Sequence, residues 1–183
     1  MILSVLLYIL VLVTLLLMLR ANNGMVPYIG SPHAVVAKIA EQFELTKKSV
    51  FYDVGAGDGR VVFEVAKRFP DARVIGIELA LFPYALAKMR LWIGRTFFRR
   101  YHNVVLLRED FQNHSFSDAT HMYTYLYPKV LDLLVGQVLK QKRKDVFLVS
   151  GTFETTIVQN CGKVVVSERK KALIKELFVY LLP

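Results

Sequence analysis

The 183-residue chain is 54% apolar, yet it carries 24 Lys and Arg against 15 Asp and Glu, a formal charge of +9. The apolar excess is concentrated in Met1 to Leu19, a stretch without any charge, so disorder, collagen-like repeats and a multi-span membrane protein are excluded. The rest of the chain has an ordinary globular composition and is long enough to bury one core. A single cysteine, Cys161, has no partner for an internal disulfide or a Cys-rich metal site, which suits a reducing compartment.

As a helix, Met1 to Leu19 would run roughly 28 Å, close to the hydrocarbon thickness of a bilayer. A cleaved signal peptide would need a basic start, a shorter apolar core and a small-x-small cleavage site; nothing basic precedes Ile2, and Leu19-Arg20-Ala21 is a poor match. The expectation is one uncleaved transmembrane helix over residues 1–20. Arg20 and the later basic residues come after the span, so the N-terminus lies outside and the folded domain in the cytoplasm. Residues 21–31 form a short linker and pre-domain segment that keeps the domain, residues 32–183, close to the bilayer.

Pro32 can open a helix, with Val35, Val36, Ile39, Ala40 and Phe43 at helical spacing. A strand is predicted at Val50 to Val54, then a helix with an apolar face of Val61, Val62, Val65, Ala66 and Phe69. "ARVIGIEL" reads as a buried strand. A third helix is predicted from about Pro83 to Phe98, its core side carrying Leu86, Met89, Ile93 and Phe97. Next come the strand "NVVLLRED", the polar loop Gln112 to Asp118, the strand "THMYTYLY", a helix from Pro128 to about Lys140 and the strand "DVFLVSG". "KVVVSE" and "KELFVYLLP" leave no room for a long helix between them and predict an antiparallel pair. Alternating strands and helices imply an α/β fold, its sheet mostly parallel and covered on both faces, finished by an antiparallel C-terminal edge.

The segment that carries chemistry is "FYDVGAGDGRVVFEVAKRF". A strand ends at Asp53, a turn carries Gly55, Gly57 and Gly59, and a helix starts at once. Such a turn lets a ligand approach the backbone, and the helix start offers unsatisfied N–H groups, so a nucleotide-like cofactor would fit; a tight turn without a ligand is the alternative. A dinucleotide fingerprint, G-x-G-x-x-G, would place its third glycine at Arg60 and fails there. The turn instead reads G-x-G-x-G with an acid two residues before it.

That pattern resembles motif I of the class I S-adenosylmethionine-dependent methyltransferases, which implies a Rossmann-like, seven-stranded fold and S-adenosyl-L-methionine as cofactor. The resemblance implies a cofactor site of Asp53, Gly55, Ala56, Gly57, Asp58, Gly59 and Arg60, with Asp53 supporting the methionine end. It implies Glu78 at the ribose hydroxyls, with Leu79 beside it, and Asp110 at the adenine amino group, with Phe111 flanking the ring. Glu109 is the alternative inward acid to Asp110. "VPYIGSP", "YDVGAGDGRVV", "GIELALFPYALAKMRLW" and a Pro-ended fourth strand resemble a narrower group, the membrane-anchored family that contains the mitochondrial protein-lysine methyltransferases of the ATP synthase c-subunit and the adenine nucleotide translocase. By that resemblance Pro27, Tyr28 and Ser31 join the cofactor and substrate pocket. "YTYLYP" stands where many amino methyltransferases carry an "NPPY"-type motif, so Tyr125, Tyr127 and Pro128, with Tyr28, are the expected acceptor pocket. Tyr125 and Tyr127 are alternatively half-buried sheet residues.

The expected function is methyl transfer from S-adenosyl-L-methionine to a lysine of a membrane protein. A lipid or hydrophobic small molecule as acceptor, and a catalytically silent cofactor-binding scaffold, are the alternatives. An apolar, aromatic-walled pocket would favour the neutral amine that accepts a methyl group. No metal is expected, and His33, His102, His114 and His121 read as surface residues. Lys88, Trp92, Arg95 and Arg99 share one helix face, which suits an anionic membrane surface; RNA and a plain solvated face are the lesser readings.

Overall fold

The computed structural model of the chain describes residues 4–5, 7–9, 11–14, 33–141, 145–168 and 172–183. Its elements run α1 (His33–Ala40), β1 (Val50–Val54), α2 (Arg60–Arg68), β2 (Arg73–Ile77), α3 (Leu81–Phe98), β3 (Val104–Leu107), a 3-10 turn (Phe111–Asn113), β4 (His121–Thr124), α4 (Pro128–Gln141), β5 (Val146–Gly151), β6 (Gly162–Val165) and β7 (Glu176–Leu182). The seven strands form one sheet in the order β3-β2-β1-β4-β5-β7-β6. β3, β2, β1, β4 and β5 are parallel; β7 lies antiparallel between β5 and the edge strand β6. This is the α/β arrangement expected from the alternation of strands and helices, and it is Rossmann-like as the methyltransferase resemblance implies. Its strand order reverses between β1 and β4, and in open α/β sheets ligands bind outside the carboxyl ends of the strands at such a switch point.

β1 is buried from Phe51 onward, so its side chains divide between two cores. Phe51 packs with Val36, Ile39, Val62 and Val65 beneath α1 and α2. Tyr52 and Val54 pack with Leu131, Leu134, Met122 and Leu148 beneath α4. Gly76 of β2 lets α2 lie close to the sheet: a Cβ there would come within 2.8 Å of Val62 Cγ2 and 2.9 Å of Leu106 Cδ2.

Three expectations are corrected. The core face of α3 is Pro83, Ala87, Leu91 and Gly94, not the face of Leu86, Met89, Ile93 and Phe97; Met89 and Phe97 are 51% and 66% exposed. Small residues set that choice, because they let α3 approach closely, and a Cβ on Gly94 would lie 2.5 Å from the Tyr101 ring. β4 ends at Thr124, so Tyr125 and Tyr127 stand beyond the strand rather than within it. β3 ends at Leu107, which leaves Asp110 in the loop after it.

The expected anchor, residues 1–20, lies largely outside the described residues. Those of it that are described are helical, and Val5, Leu7, Tyr8, Ile9, Val11, Leu12 and Val13 are exposed. Among the described residues no helix is long and apolar enough to cross a membrane. Pro27, Tyr28 and Ser31 lie outside the described residues.

Candidate functional site

The carboxyl end of β1 runs into a turn in which Gly55, Gly57 and Gly59 all take left-handed backbone angles, with φ of 81°, 57° and 81°. A side chain at Gly57 or Gly59 would be strained in that conformation, which explains the alternating glycines. The turn is tied to β2: the N–H groups of Gly55 and Ala56 both donate to Ile77 O at 2.9 Å. Glu78, the residue after β2, completes the attachment. Its Oε2 accepts from Gly57 N at 2.8 Å and its Oε1 from Ala80 N at 2.7 Å. Each carboxylate oxygen can accept a second bond, and Glu78 is partly exposed, so a ligand diol has acceptors already held in place.

Asp53 lies behind the turn, only 2% exposed. Burial, with repulsion from Glu78 and Asp58, pushes its carboxyl up to about 8, although the Val62 N–H at the start of α2 opposes the rise. An acid so placed is neutral at pH 7 and ionises readily when a cation approaches. Asp58 is also buried, but it is neutralised within the protein: its Oδ2 lies 3.0 Å from Arg60 Nε and 2.7 Å from an Arg90 guanidinium nitrogen. Arg90 also donates to Asp58 O at 2.8 Å. The "DGR" end of the turn is therefore clamped by α3. Arg90 was not legible as a site residue, because it stands on α3, well separated from the turn in sequence.

Leu79 is 51% exposed at the lip of β2. Asp110 accepts from Gln112 N at 3.0 Å and starts the 3-10 turn, with Phe111 partly buried against the α4 core. Glu109 points elsewhere, its Oε1 lying 2.6 Å from His114 Nδ1. His114 Nε2 lies 3.2 Å from Tyr52 Oη, which donates to Asp118 at 2.8 Å. His114 is thus half-buried and networked, and burial lowers the pKa of His121, so neither is the surface histidine expected.

Across the switch point, Thr124 at the end of β4 donates to Val54 O at 2.9 Å. Leu126 comes two residues later, its Cδ2 3.1 Å from where a Cβ on Gly55 would stand. Tyr125 and Tyr127 flank Leu126, and both meet Phe153: ring centroids are 6.1 Å apart and nearly parallel for Tyr125, 5.5 Å and tilted for Tyr127. Tyr125 Oη donates to Leu173 O at 3.1 Å, and burial raises its pKa. Phe153 reaches this place because Thr152 turns the chain after β5 with φ of 68°, a conformation rare outside glycine. No motif in the sequence pointed toward it. Pro128 starts α4, as expected from its fixed φ.

Among the described residues no group of three or more His, Cys, Asp or Glu could hold a metal ion. The three left-handed glycines, the pre-set Glu78 carboxylate and the buried Asp53 together suit a ligand with a vicinal diol and a cationic end, which is the chemistry of S-adenosyl-L-methionine.

Known proteins similar to this chain are methyltransferases. A protein-lysine N-methyltransferase of Saccharolobus islandicus is 27% identical over 133 residues, 70% of this chain and 78% of its own. An RNA methyltransferase of Salinibacter ruber, solved with S-adenosyl-L-homocysteine, superposes with a TM-score of 0.71 at 23% identity, covering 85% of this chain and 94% of its own. An S-adenosylmethionine-dependent methyltransferase of Aquifex aeolicus superposes with a TM-score of 0.62 at 12% identity, covering 84% and 94%. At these identities the two solved structures show the fold alone. The chain is a methyltransferase that uses S-adenosyl-L-methionine, and it belongs to the family of the ANTKMT methyltransferase domain, whose model matches residues 53–160.

Proposed function

We propose that the chain is a protein-lysine N-methyltransferase held at a membrane by residues 1–20 and acting on a lysine of a membrane protein. The observation that carries the lysine reading is the cluster of Tyr125, Tyr127 and Phe153, joined through Leu126 to the first glycine of the cofactor turn. Aromatic faces attract an ammonium group by its charge, while their apolar character disfavours the charged form, so the cluster can collect a lysine and hold it near neutrality. The protein-lysine methyltransferase of S. islandicus supports the same acceptor.

S-adenosyl-L-methionine supplies a methyl group already activated on a sulfonium, so the protein has only to orient and exclude water. Glu78 would accept from the ribose hydroxyls with the lone pairs that Gly57 and Ala80 leave open. Asp53 would give up its proton to balance the cationic end. Asp110 and Phe111 would border the adenine, and Asp58, Arg60 and Arg90 hold the turn. The exposed apolar side chains between Val5 and Val13 support the anchor, and Arg20 supports a cytoplasmic domain.

The test is to incubate membranes containing the full chain with methyl-labelled cofactor. Label that stays with protein and appears as methyl-lysine after hydrolysis supports the proposal. Label that extracts with lipid would instead assign a lipid acceptor and overturn it.

A further inference from the structure

Among the described residues after residue 33, fourteen large apolar side chains are exposed, and seven of them fall between residues 79 and 98: Leu79, Leu81, Phe82, Met89, Trp92, Phe97 and Phe98. The core-facing residues of α3 leave Phe82, Met89 and Trp92 pointing directly away from the sheet, and Trp92 meets Phe97 edge-on at 5.8 Å. An exposed apolar strip of this kind marks an interaction surface. Its surroundings are one-signed. α3 holds Lys88, Arg90 and Arg95 and no acid, and Arg99 and Arg100 come directly after it. Not all of these cations face outward: Arg90 is held on Asp58, and Arg95 donates to Val104 O at 2.6 Å. Lys88, Arg99 and Arg100 remain beside the strip. Close by, a cleft of about 290 Å³ sets Arg90 and Arg100 over the apolar walls of Phe63, Ile93, Phe98 and Tyr101.

We infer that the outward face of α3 is a second membrane contact, lying in the interfacial layer of a bilayer with anionic headgroups. Apolar side chains enter the headgroup boundary and the flanking Lys and Arg meet lipid phosphates, the pattern of helices that lie in a membrane interface. The inference rests on the proposed anchor. Residues 21–32 span at most about 40 Å fully extended, so the domain stays within reach of the surface. The lipid-facing strip starts at Leu79 and Leu81, next to Glu78, and so turns the cofactor rim toward the bilayer. A lysine at the foot of a membrane protein is then the one presented to the site.

Trp92 is the chain's one tryptophan, so its fluorescence reports this face alone. The full chain is reconstituted into phosphatidylcholine vesicles with or without phosphatidylglycerol, and with phosphatidylcholine brominated on its acyl chains. With phosphatidylglycerol present, Trp92 emission should shift to the blue and be quenched by the brominated lipid. Arg99→Ser with Arg100→Ser, or Phe82→Ser with Met89→Ser, should remove most of the quenching while the protein still floats with the vesicles. Flotation with Trp92 emission unshifted and unquenched would overturn the second contact and leave the anchor intact. Failure to float would overturn the anchor. A blue shift in the vesicles without quenching by the brominated lipid would assign the face to contacts between copies and overturn the lipid contact.

Discussion

Asp53→Asn should make the ligand-free protein more stable at neutral pH while weakening its hold on the cofactor. The buried carboxyl is raised from 3.8 to about 8, so the folded chain keeps a proton that the unfolded chain releases near pH 4. The folded state then binds more protons between those values, and its stability falls as pH rises through that window and levels off above about 8. At pH 7 roughly three pH units of this penalty are in force, a ceiling of about 4 kcal/mol at about 1.4 kcal/mol per unit. Asparagine has the same shape, can still accept from Val62 N–H, and never ionises. Denaturant unfolding in one detergent at pH 5, 6.5 and 8 measures the difference between variant and wild type. That difference should be smallest at pH 5, where about one pH unit of the penalty is in force, and grow in the variant's favour toward pH 8. Cofactor affinity should do the opposite. In the wild type it should rise with pH by up to tenfold per unit and flatten above about 8, because a cationic ligand favours ionised Asp53; in Asp53→Asn it should be weak and flat. A stability difference independent of pH, or one growing toward acid, would refute the reasoning.

Gly76→Ala would push a methyl group to within 2.8 to 3.1 Å of Val62, Leu106 and Ala56, an overpacking that costs about 1–3 kcal/mol. The thermal midpoint should drop by about 3–10 °C, and an unchanged midpoint would show that α2 gives way freely. Arg90→Met takes the 2.7 Å guanidinium contact away from buried Asp58 and should destabilise by about 1–3 kcal/mol. Combining it with Asp58→Asn should cost less than the two single effects together; strict additivity would mean the clamp does not couple them. Phe153→Leu removes the ring that both tyrosines meet. The KM for the lysine acceptor should rise up to about tenfold while cofactor affinity holds, since each aromatic pair contributes about 0.5–1.5 kcal/mol. An unchanged acceptor KM would remove Phe153 from the acceptor pocket.

The strand-turn-helix unit from Val50 to Arg68 was fully legible, because the apolar strand, the turn glycines and the apolar face of α2 all act within a few residues of one another. The positions of Asp53 and Glu78 at the carboxyl ends of β1 and β2 followed for the same reason, from where each apolar strand stops. Legibility failed where partners meet only in three dimensions. On α3 the large apolar residues looked like the core face, but close packing selected Ala87 and Gly94 and turned Met89 and Phe97 outward. Tyr125 and Tyr127 read as strand residues because β propensity continues past Thr124, whereas pairing with β1 and β5 stops there. His114 read as a loop residue, and nothing local announced that Glu109 and Tyr52 would close on it. Arg90 stood within a recognised segment without an assigned role and Phe153 in no motif, since their roles arise from contacts with Asp58 and with the tyrosines after β4.

Calorimetric titration of the full chain with S-adenosyl-L-methionine tests most directly whether the glycine turn and Glu78 hold the cofactor. One saturable site is expected in the wild type, lost in Gly57→Arg, where a side chain enters a left-handed position. Binding should weaken strongly in Glu78→Ala, where the turn loses the carboxylate held by Gly57 and Ala80. A wild type that binds no cofactor, or binding untouched by both substitutions, would contradict that assignment.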